Sequence, residues 1–328
     1  MFPTLVEGPT PTLGLHTYGM FILLAFCSAF VLVHWRSAQV GFNTDKLGWL
    51  YLASAVGGIS GGKLLYHTAV DPFWVNPSSL ANFSGFALYG GVLGGAIAVA
   101  AVAIPLKFSL WKLADIAAPA VAVGIGVGRM GCFFAGCCHG AVAPVSDNPT
   151  ALLPDGLLHG QIWLSSMFPY ITTEFHDGVG RLLHEPLYPT QLWSIVAGLG
   201  VCLFAQLIWR FRVFDGMIAA VVLLVEPVFR IFIEAFRADH RGYVVQWPVS
   251  EEVVAMFPGM SKAGDTLGEA VMGITTSQAI GLGMMLLGLC IVVVRVVWIY
   301  VLKKSPPMGE EIPFVSEETD DLDDDLDE

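Results

Sequence analysis

The sequence is short of charge. Asp, Glu, Lys and Arg make up 13% of its 328 residues, against about 25% in an ordinary soluble domain. Apolar residues reach 55% and mean hydropathy is +0.67. Those values exclude most soluble folds, and a disordered chain with them. Cysteine is sparse as well. Three of the six, Cys27, Cys202 and Cys290, lie inside apolar runs, where Cys serves as a small buried hydrophobe, so no secreted disulfide scaffold is expected. There is no basic block of the kind that binds nucleic acid. The opening stretch MFPTLVEGPTPTLGLHTYG has neither Lys nor Arg. A cleavable signal peptide carries a positive n-region, so the first apolar run is expected to stay as a membrane helix.

What the sequence does have is apolar runs of spanning length, about 20 residues each. Seven are read: Leu15–Trp35, Leu47–His67, Gly85–Pro105, Leu113–Phe134, Pro189–Trp209, Met217–Phe236 and Ala279–Leu302, the fourth expected to break before its end. The expected fold is an all-α polytopic membrane protein of about seven transmembrane helices. Arg36, Lys46, Lys107, Lys112, Arg210, Arg212, Lys303 and Lys304 fall on one side. The positive-inside rule then puts the N-terminus outside and the C-terminus in the cytoplasm. Residues 1–14 are expected as an external segment and residues 15–303 as the membrane domain, with external segments 140–188 and 237–278. Residues 304–328 read as an acidic cytoplasmic tail, expected to be disordered. Nine acidic residues in Glu317–Glu328 account for most of the net charge of −12. Gly57, Gly58, Gly61 and Gly62 in the second run, and Gly90, Gly91, Gly94 and Gly95 in the third, form small-xxx-small patterns suited to close helix crossing.

Charges inside apolar runs mark functional sites by default, because each costs several kcal/mol there. Arg129 lies in GIGVGRMGCFFAGCCHG. It reads either as an anion site, with glycine-bared backbone beside a guanidinium fork, or as a snorkelling end residue. Glu226, Arg230 and Glu234 recur at i, i+4, i+8, with Arg237 three further on, so that neighbours can pair on one helical face that Pro227 is expected to disturb. They read as the lining of a polar cavity or as a structural ion-pair ladder. Lys63 either reaches a headgroup or snorkels outward, and Asp115 reads as a helix cap. Cys132, Cys137, Cys138 and His139 have the spacing C-x4-C-C-H, which fits no common zinc pattern, and no metal is expected. The thiols beside Arg129 read as small buried hydrophobes, or as reactive groups of lowered pKa.

These residues, taken in order, resemble the bacterial prolipoprotein diacylglyceryl transferases. The resemblance runs over most of residues 14–303. It rests on LHTYGM, GGKLLY, LYGGVLGG, ADIAAP, GRMGCFFAGCCHG, YPTQLW and FRIFIEAFR. It implies a multi-pass enzyme of the bacterial plasma (inner) membrane that takes phosphatidylglycerol and moves its diacylglyceryl group onto the lipobox cysteine thiol of a preprolipoprotein, releasing glycerol-1-phosphate. The implied partners are that lipid, lipobox peptides and the membrane, with no cofactor. By the family pattern Tyr18, Tyr89, Arg129, Arg230 and Glu234 are the candidate catalytic residues. Lys63, Gly90, Gly91, Arg129, His139, Gly140, Gln191 and Glu226 are the candidates for substrate binding. Tyr89 stands where the family often has His, Cys132 where it has Asn, and Cys137 where it has Glu. Lys63 replaces a common Arg and Glu226 a Tyr.

The resemblance assigns Arg129 and Arg230 to the departing phosphate, Glu234 to orienting Arg230, and Tyr18 to positioning the lipid. The proton acceptor stays open between Tyr89, His139 and Glu226, or no strong base, with Arg129 lowering the pKa of the incoming thiol. Rival readings are a catalytically inactive lipid- or lipoprotein-binding relative, a membrane transporter, and a thiol-redox protein using Cys137 and Cys138.

Overall fold

A computed structural model of the chain describes residues 4–6, 15–69, 87–135, 137–138, 140–141, 171–172, 182–183, 188–237, 243–249, 261–262 and 270–302. The acidic tail and most of residues 1–14 and 140–188 lie outside these. Each of the seven apolar runs contains a helix. The helices are α1 (Thr17–Gln39), α2 (Leu47–Ala69), α3 (Leu88–Ala103), α4 (Leu110–Ala135), α5 (Thr190–Ile208), α6 (Met217–Glu234) and α7 (Thr276–Val296), the last extended by a π turn over Val297–Val301.

Four of these are long and apolar enough to cross a membrane: α1, α4, α5 with its following turn, and α7 with its extension. The other three differ for visible reasons. Helix α3 is short at 16 residues. Helix α2 carries five glycines, two serines and Lys63, and α6 carries Glu226, Arg230 and Glu234.

Two expectations are corrected. Helix α4 does not break: it runs unbroken through Pro119 and its glycines to Ala135. The fold is mostly helical but not all-α. Within the region expected as an external segment, β5 (Tyr243–Val249), β6 (Ser261–Lys262) and β7 (Ala270–Thr275) form an antiparallel sheet in the order β5-β7-β6. Pro248 sits on the edge strand β5, where its missing N–H breaks no inner ladder. Two short ladders precede it in the chain, β1 (Thr4–Val6) with β2 (Leu15–His16), and β3 (Ile171–Thr172) with β4 (Leu182–Leu183).

The chain divides into two units, Met1–Ala29 with Ala117–Pro306, and Phe30–Ile116 with Pro307–Glu328. In the second unit the glycine clusters do what their spacing suggests. A Cβ on Gly61 would run into the carbonyl of Gly90, and one on Gly94 into the carbonyl of Gly57. Helices α2 and α3 therefore cross backbone to backbone. Beside the crossing, Leu47, Leu50, Ala103 and Leu113 are buried together and covered by Phe42, Tyr51, Val99, Val102 and Phe108.

In the first unit, α5 crosses α4 where Gly198 meets Gly126 and Ala122, and α6 meets α7 where Gly288 faces Ala220. A capping box of Thr275 and Gln278 starts α7 directly from β7. Polarity is inverted across the helices. Leu23, Val196 and Leu286 are over 60% exposed, while Arg129, Glu234 and Arg237 are buried. Apolar surface outside and paired charge inside is the arrangement suited to hydrocarbon as solvent.

Candidate functional site

The site candidates of the first unit gather where α4 ends, α5 begins and α6 ends. Arg129 lies in the last two turns of α4, and its side chain is buried, not directed outward from a helix end. The glycines before it do not bare backbone N–H groups for an anion, because α4 is an intact helix whose amides are used internally. They serve approach instead. Gly126 abuts Leu199 of α5, Gly124 faces the Ala25 carbonyl, and Gly128 faces Ile22.

After Ala135 the chain is tied down bond by bond. The Cys137 amide donates to the Cys132 carbonyl (3.1 Å), and Cys138 takes a left-handed conformation, φ 60°. The carbonyl of Cys137 accepts from Gln191 Nε2 (3.0 Å) and that of Cys138 from Thr190 Oγ1 (3.1 Å). The Gly140 amide donates to Tyr188 (3.1 Å), Tyr188 donates back to Ala141 (3.0 Å), and the Ala141 amide donates to Phe236 (2.9 Å). Gly140 also bridges Arg237 in antiparallel fashion. A side chain at 140 would collide with the backbone and Cβ of Tyr188. Gln191 and Gly140, proposed from sequence as substrate contacts, are thus seen holding the loop together. Around them Tyr188, Trp193, Phe232 and Phe236 form an aromatic cluster with ring centroids 5.0–6.1 Å apart.

The charged stripe of α6 is present, with a different division of partners. Pro227 does not interrupt the helix. Arg230 donates from Nε to Ser277 Oγ on α7 (3.1 Å). Glu226 lies within electrostatic range of both Arg230 and Arg129, which links α6 to α4. Glu234 meets Arg237, Oε2 to Nε 3.8 Å, with both side chains 2% exposed. Arg237 lies beyond the end of the helix, in the bridge to Gly140, so the pair ties the helix end to that bridge. Tyr18 is in the first turn of α1, 45% exposed, within electrostatic range of Arg129 and the three thiols.

Sequence spacing did not reveal that Cys132, Cys137 and Cys138 converge. Their sulfurs lie within 4.8 Å of one another. Hydrogen bonds from Cys132 and Cys137 pull the Cys138 thiol below its ordinary value, and the Arg237 and Arg129 charges act in the same sense against burial. The Cys137 thiol is pushed up, first by its hydrogen bonds to Cys132 and Cys138. A left-handed non-glycine backbone can be found in a structure but not in a spacing rule. His139 lies outside the described residues.

The remaining candidates belong to the second unit. Gly90 packs against the Gly61 carbonyl and Leu65 of α2, and the Gly91 carbonyl faces Gly58. Both glycines thus have a packing role. Lys63 is half-buried near the end of α2. Tyr89 is in the first turn of α3, with its side chain outside the description. Asp115 is not a cap: it is the sixth residue of α4 and fully buried.

The sequence is also similar to proteins of known family. A family model described as prolipoprotein diacylglyceryl transferase matches residues 6–294. A phosphatidylglycerol–prolipoprotein diacylglyceryl transferase of Clostridium tetani is 31% identical over 243 residues, covering 73% of this chain and 87% of the relative. A Clostridium perfringens protein, phosphatidylglycerol–prolipoprotein diacylglyceryl transferase 2, is 31% identical over 247 residues, covering 73% and 86%. One from Chromohalobacter salexigens is 28% identical over 234 residues, covering 68% and 74%. A match over so much of the chain settles its kinship: it belongs to the prolipoprotein diacylglyceryl transferase family.

Proposed function

We propose that this chain transfers the diacylglyceryl group of phosphatidylglycerol to the lipobox cysteine of a preprolipoprotein. In that reaction the thiol sulfur attacks the glyceryl carbon that bears the phosphate. A C–S bond forms, the C–O bond breaks, and the electron pair leaves with glycerol-1-phosphate. The phosphate goes from a diester with one negative charge to a monoester able to carry two. The catalytic task is therefore to hold that growing charge and to let the thiol proton leave.

The observation that carries the proposal is Arg129, a buried guanidinium in an apolar helix, linked through Glu226 to Arg230 of α6. Two guanidiniums within electrostatic range of one carboxylate leave net positive charge in a low-dielectric setting. A phosphate there gains far more than in water, and the guanidinium fork fits its oxygens. Glu226, within electrostatic range of both, is a candidate proton acceptor, and Tyr18 is the candidate to hold the lipid by its hydroxyl. Glu234 acts through its pair with Arg237, fixing the end of α6 against the bridge to Gly140. Lys63, Tyr89, Gly90, Gly91, Gly140, Gln191 and His139 stay in the proposal on the family resemblance.

Around this chemistry the proposed topology has seven spans, N-terminus outside and C-terminus cytoplasmic, in the bacterial plasma membrane. Residues 304–328 form a cytoplasmic acidic tail. Residues 140–188 and 237–278 are proposed to shape peptide access from outside.

The test uses purified protein in phosphatidylglycerol vesicles with a synthetic lipobox peptide, read by mass spectrometry. The expected products are the diacylglyceryl thioether and glycerol-1-phosphate in equal amounts, both lost with Arg129→Ala. A folded wild-type protein that yields neither product overturns the reading.

A further inference from the structure

The three-cysteine cluster is the part of the first unit that the proposed reaction does not use. Its sulfurs come from the last turn of α4 and from the loop after it, and lie within 4.8 Å of one another. Cys137 and Cys138 are sequence neighbours, whose side chains ordinarily diverge. Here the two converge, and Cys138 is held at φ 60°, a conformation a non-glycine residue adopts only where its surroundings impose it. The hydrogen bonds that impose it come from Gln191 and Thr190 to the carbonyls of the two cysteines. The cluster is therefore a built one. It is also flanked by positive charge: Arg129 lies within electrostatic range of Cys132 and Cys138, and Arg237 of Cys138.

We propose that Cys132, Cys137 and Cys138 bind a soft divalent cation of the zinc class, and that its fourth coordination position takes the thiol of the incoming peptide. Tetrahedral zinc–thiolate bonds of about 2.3 Å place sulfurs about 3.8 Å apart, so the observed trio closes onto an ion by small side-chain rotations. Three thiolates leave a zinc site with one open position, the arrangement of catalytic rather than structural zinc. Ligation deprotonates a thiol outright. The peptide thiol would release its proton to solvent on binding, and the bound thiolate would attack the glyceryl carbon as the C–O bond breaks, with no oxidant or reductant required. Three thiolates with the ion carry one negative charge and four carry two, which the nearby Arg129 and Arg237 offset. The second half of the inference rests on the transferase reading and supplies the thiol activation that reading lacks.

The experiment titrates reduced, metal-stripped full-length protein in detergent with Co2+. About one ion per chain and a sulfur-to-cobalt charge-transfer band are expected. The band disappears when Cys132→Ser, Cys137→Ser and Cys138→Ser are combined. It persists when Cys27→Ser, Cys202→Ser and Cys290→Ser are combined, with gel filtration checking that both variants stay folded. Adding lipobox peptide then shifts the cobalt ligand-field bands, whereas the same peptide with Ser in place of Cys leaves them unchanged. No charge-transfer band in the wild-type chain overturns the metal site. A band indifferent to the peptide thiol overturns the thiol ligation. Peptide lipidated by protein that takes up no cobalt sinks this inference and leaves the transferase standing. Cobalt and thiol responses with no lipidated product do the reverse.

Discussion

In the proposed reaction Arg129 meets a phosphate with two parallel N–H donors, and Lys cannot do this. A lysine carries the charge as a compact, strongly hydrated point without the fork. Arg129→Lys is expected to keep the fold, since charge and approximate length are preserved at a buried position that already holds a cation, and to cut the transfer rate at least about 100-fold. Turnover of the vesicle reaction, with circular dichroism as the folding control, checks this. A Lys variant within a few-fold of wild type removes the bidentate role. The Glu234–Arg237 pair behaves differently. With both partners 2% exposed it is an internal fastening, and losing one partner leaves an uncompensated buried charge. At this scale the sequence showed which residues were costly, because an Arg or Glu in an apolar run stands out by itself. It did not show the pairings. The i, i+3 spacing allowed Glu234 to meet Arg237, but that Arg237 would sit in a bridge to Gly140 depends on ninety-odd residues of intervening chain returning to α4.

Helix α2 and helix α3 show how glycine spacing becomes an element-level contact. The backbones approach closely enough that Gly57, Gly61, Gly90 and Gly94 leave no room for a Cβ. Gly61→Leu is expected to push the helices apart, with a destabilisation of about 1–3 kcal/mol or more from overpacking against backbone that cannot yield. Gly48→Leu, with open space around its Cβ position, is the matched control. Unfolding in mixed detergent–denaturant series separates the two, and equal stability of both variants would remove the crossing. Pattern alone was enough to suggest this contact, because small-xxx-small on two neighbouring helices has few other uses. Pattern misjudged α4. Its glycines and Pro119 suggested a break, yet α5 fills the space beside Gly126 and the helix continues. A glycine's effect depends on what packs against it, which periodicity does not contain.

Across the whole molecule the burial pattern is that of a protein whose solvent is lipid. Large apolar side chains face out on α1, α5 and α7, and charges turn inward. The distribution of Lys and Arg between loops then gives a definite orientation to test. Alkaline phosphatase fused after Ser146 is expected to be active, and fused after Ser109 inactive, in intact cells. The reverse pattern overturns the proposed orientation. The three-stranded sheet of β5, β6 and β7 is not legible in the segment, which reads only as external although β5 and β7 have seven and six residues. Sheet pairing is a contact between segments distant in sequence, and β6 is two residues long.

Composition and order by themselves determined that this chain lives in a membrane, where its helices run, which charges are exceptional and which family it resembles. Each of these follows from local quantities: transfer free energy summed over about 20 residues, glycine spacing along a helix, and motifs in sequence order. Only the tertiary structure decided that α4 stays whole, that Glu234 and Arg237 pair across a helix end, that Asp115 is buried within a helix instead of capping it, and that three cysteines meet. Those depend on which surfaces arrive beside one another in three dimensions. For the cysteines the deciding feature is one left-handed residue, Cys138, held by hydrogen bonds from a helix more than fifty residues away in the chain.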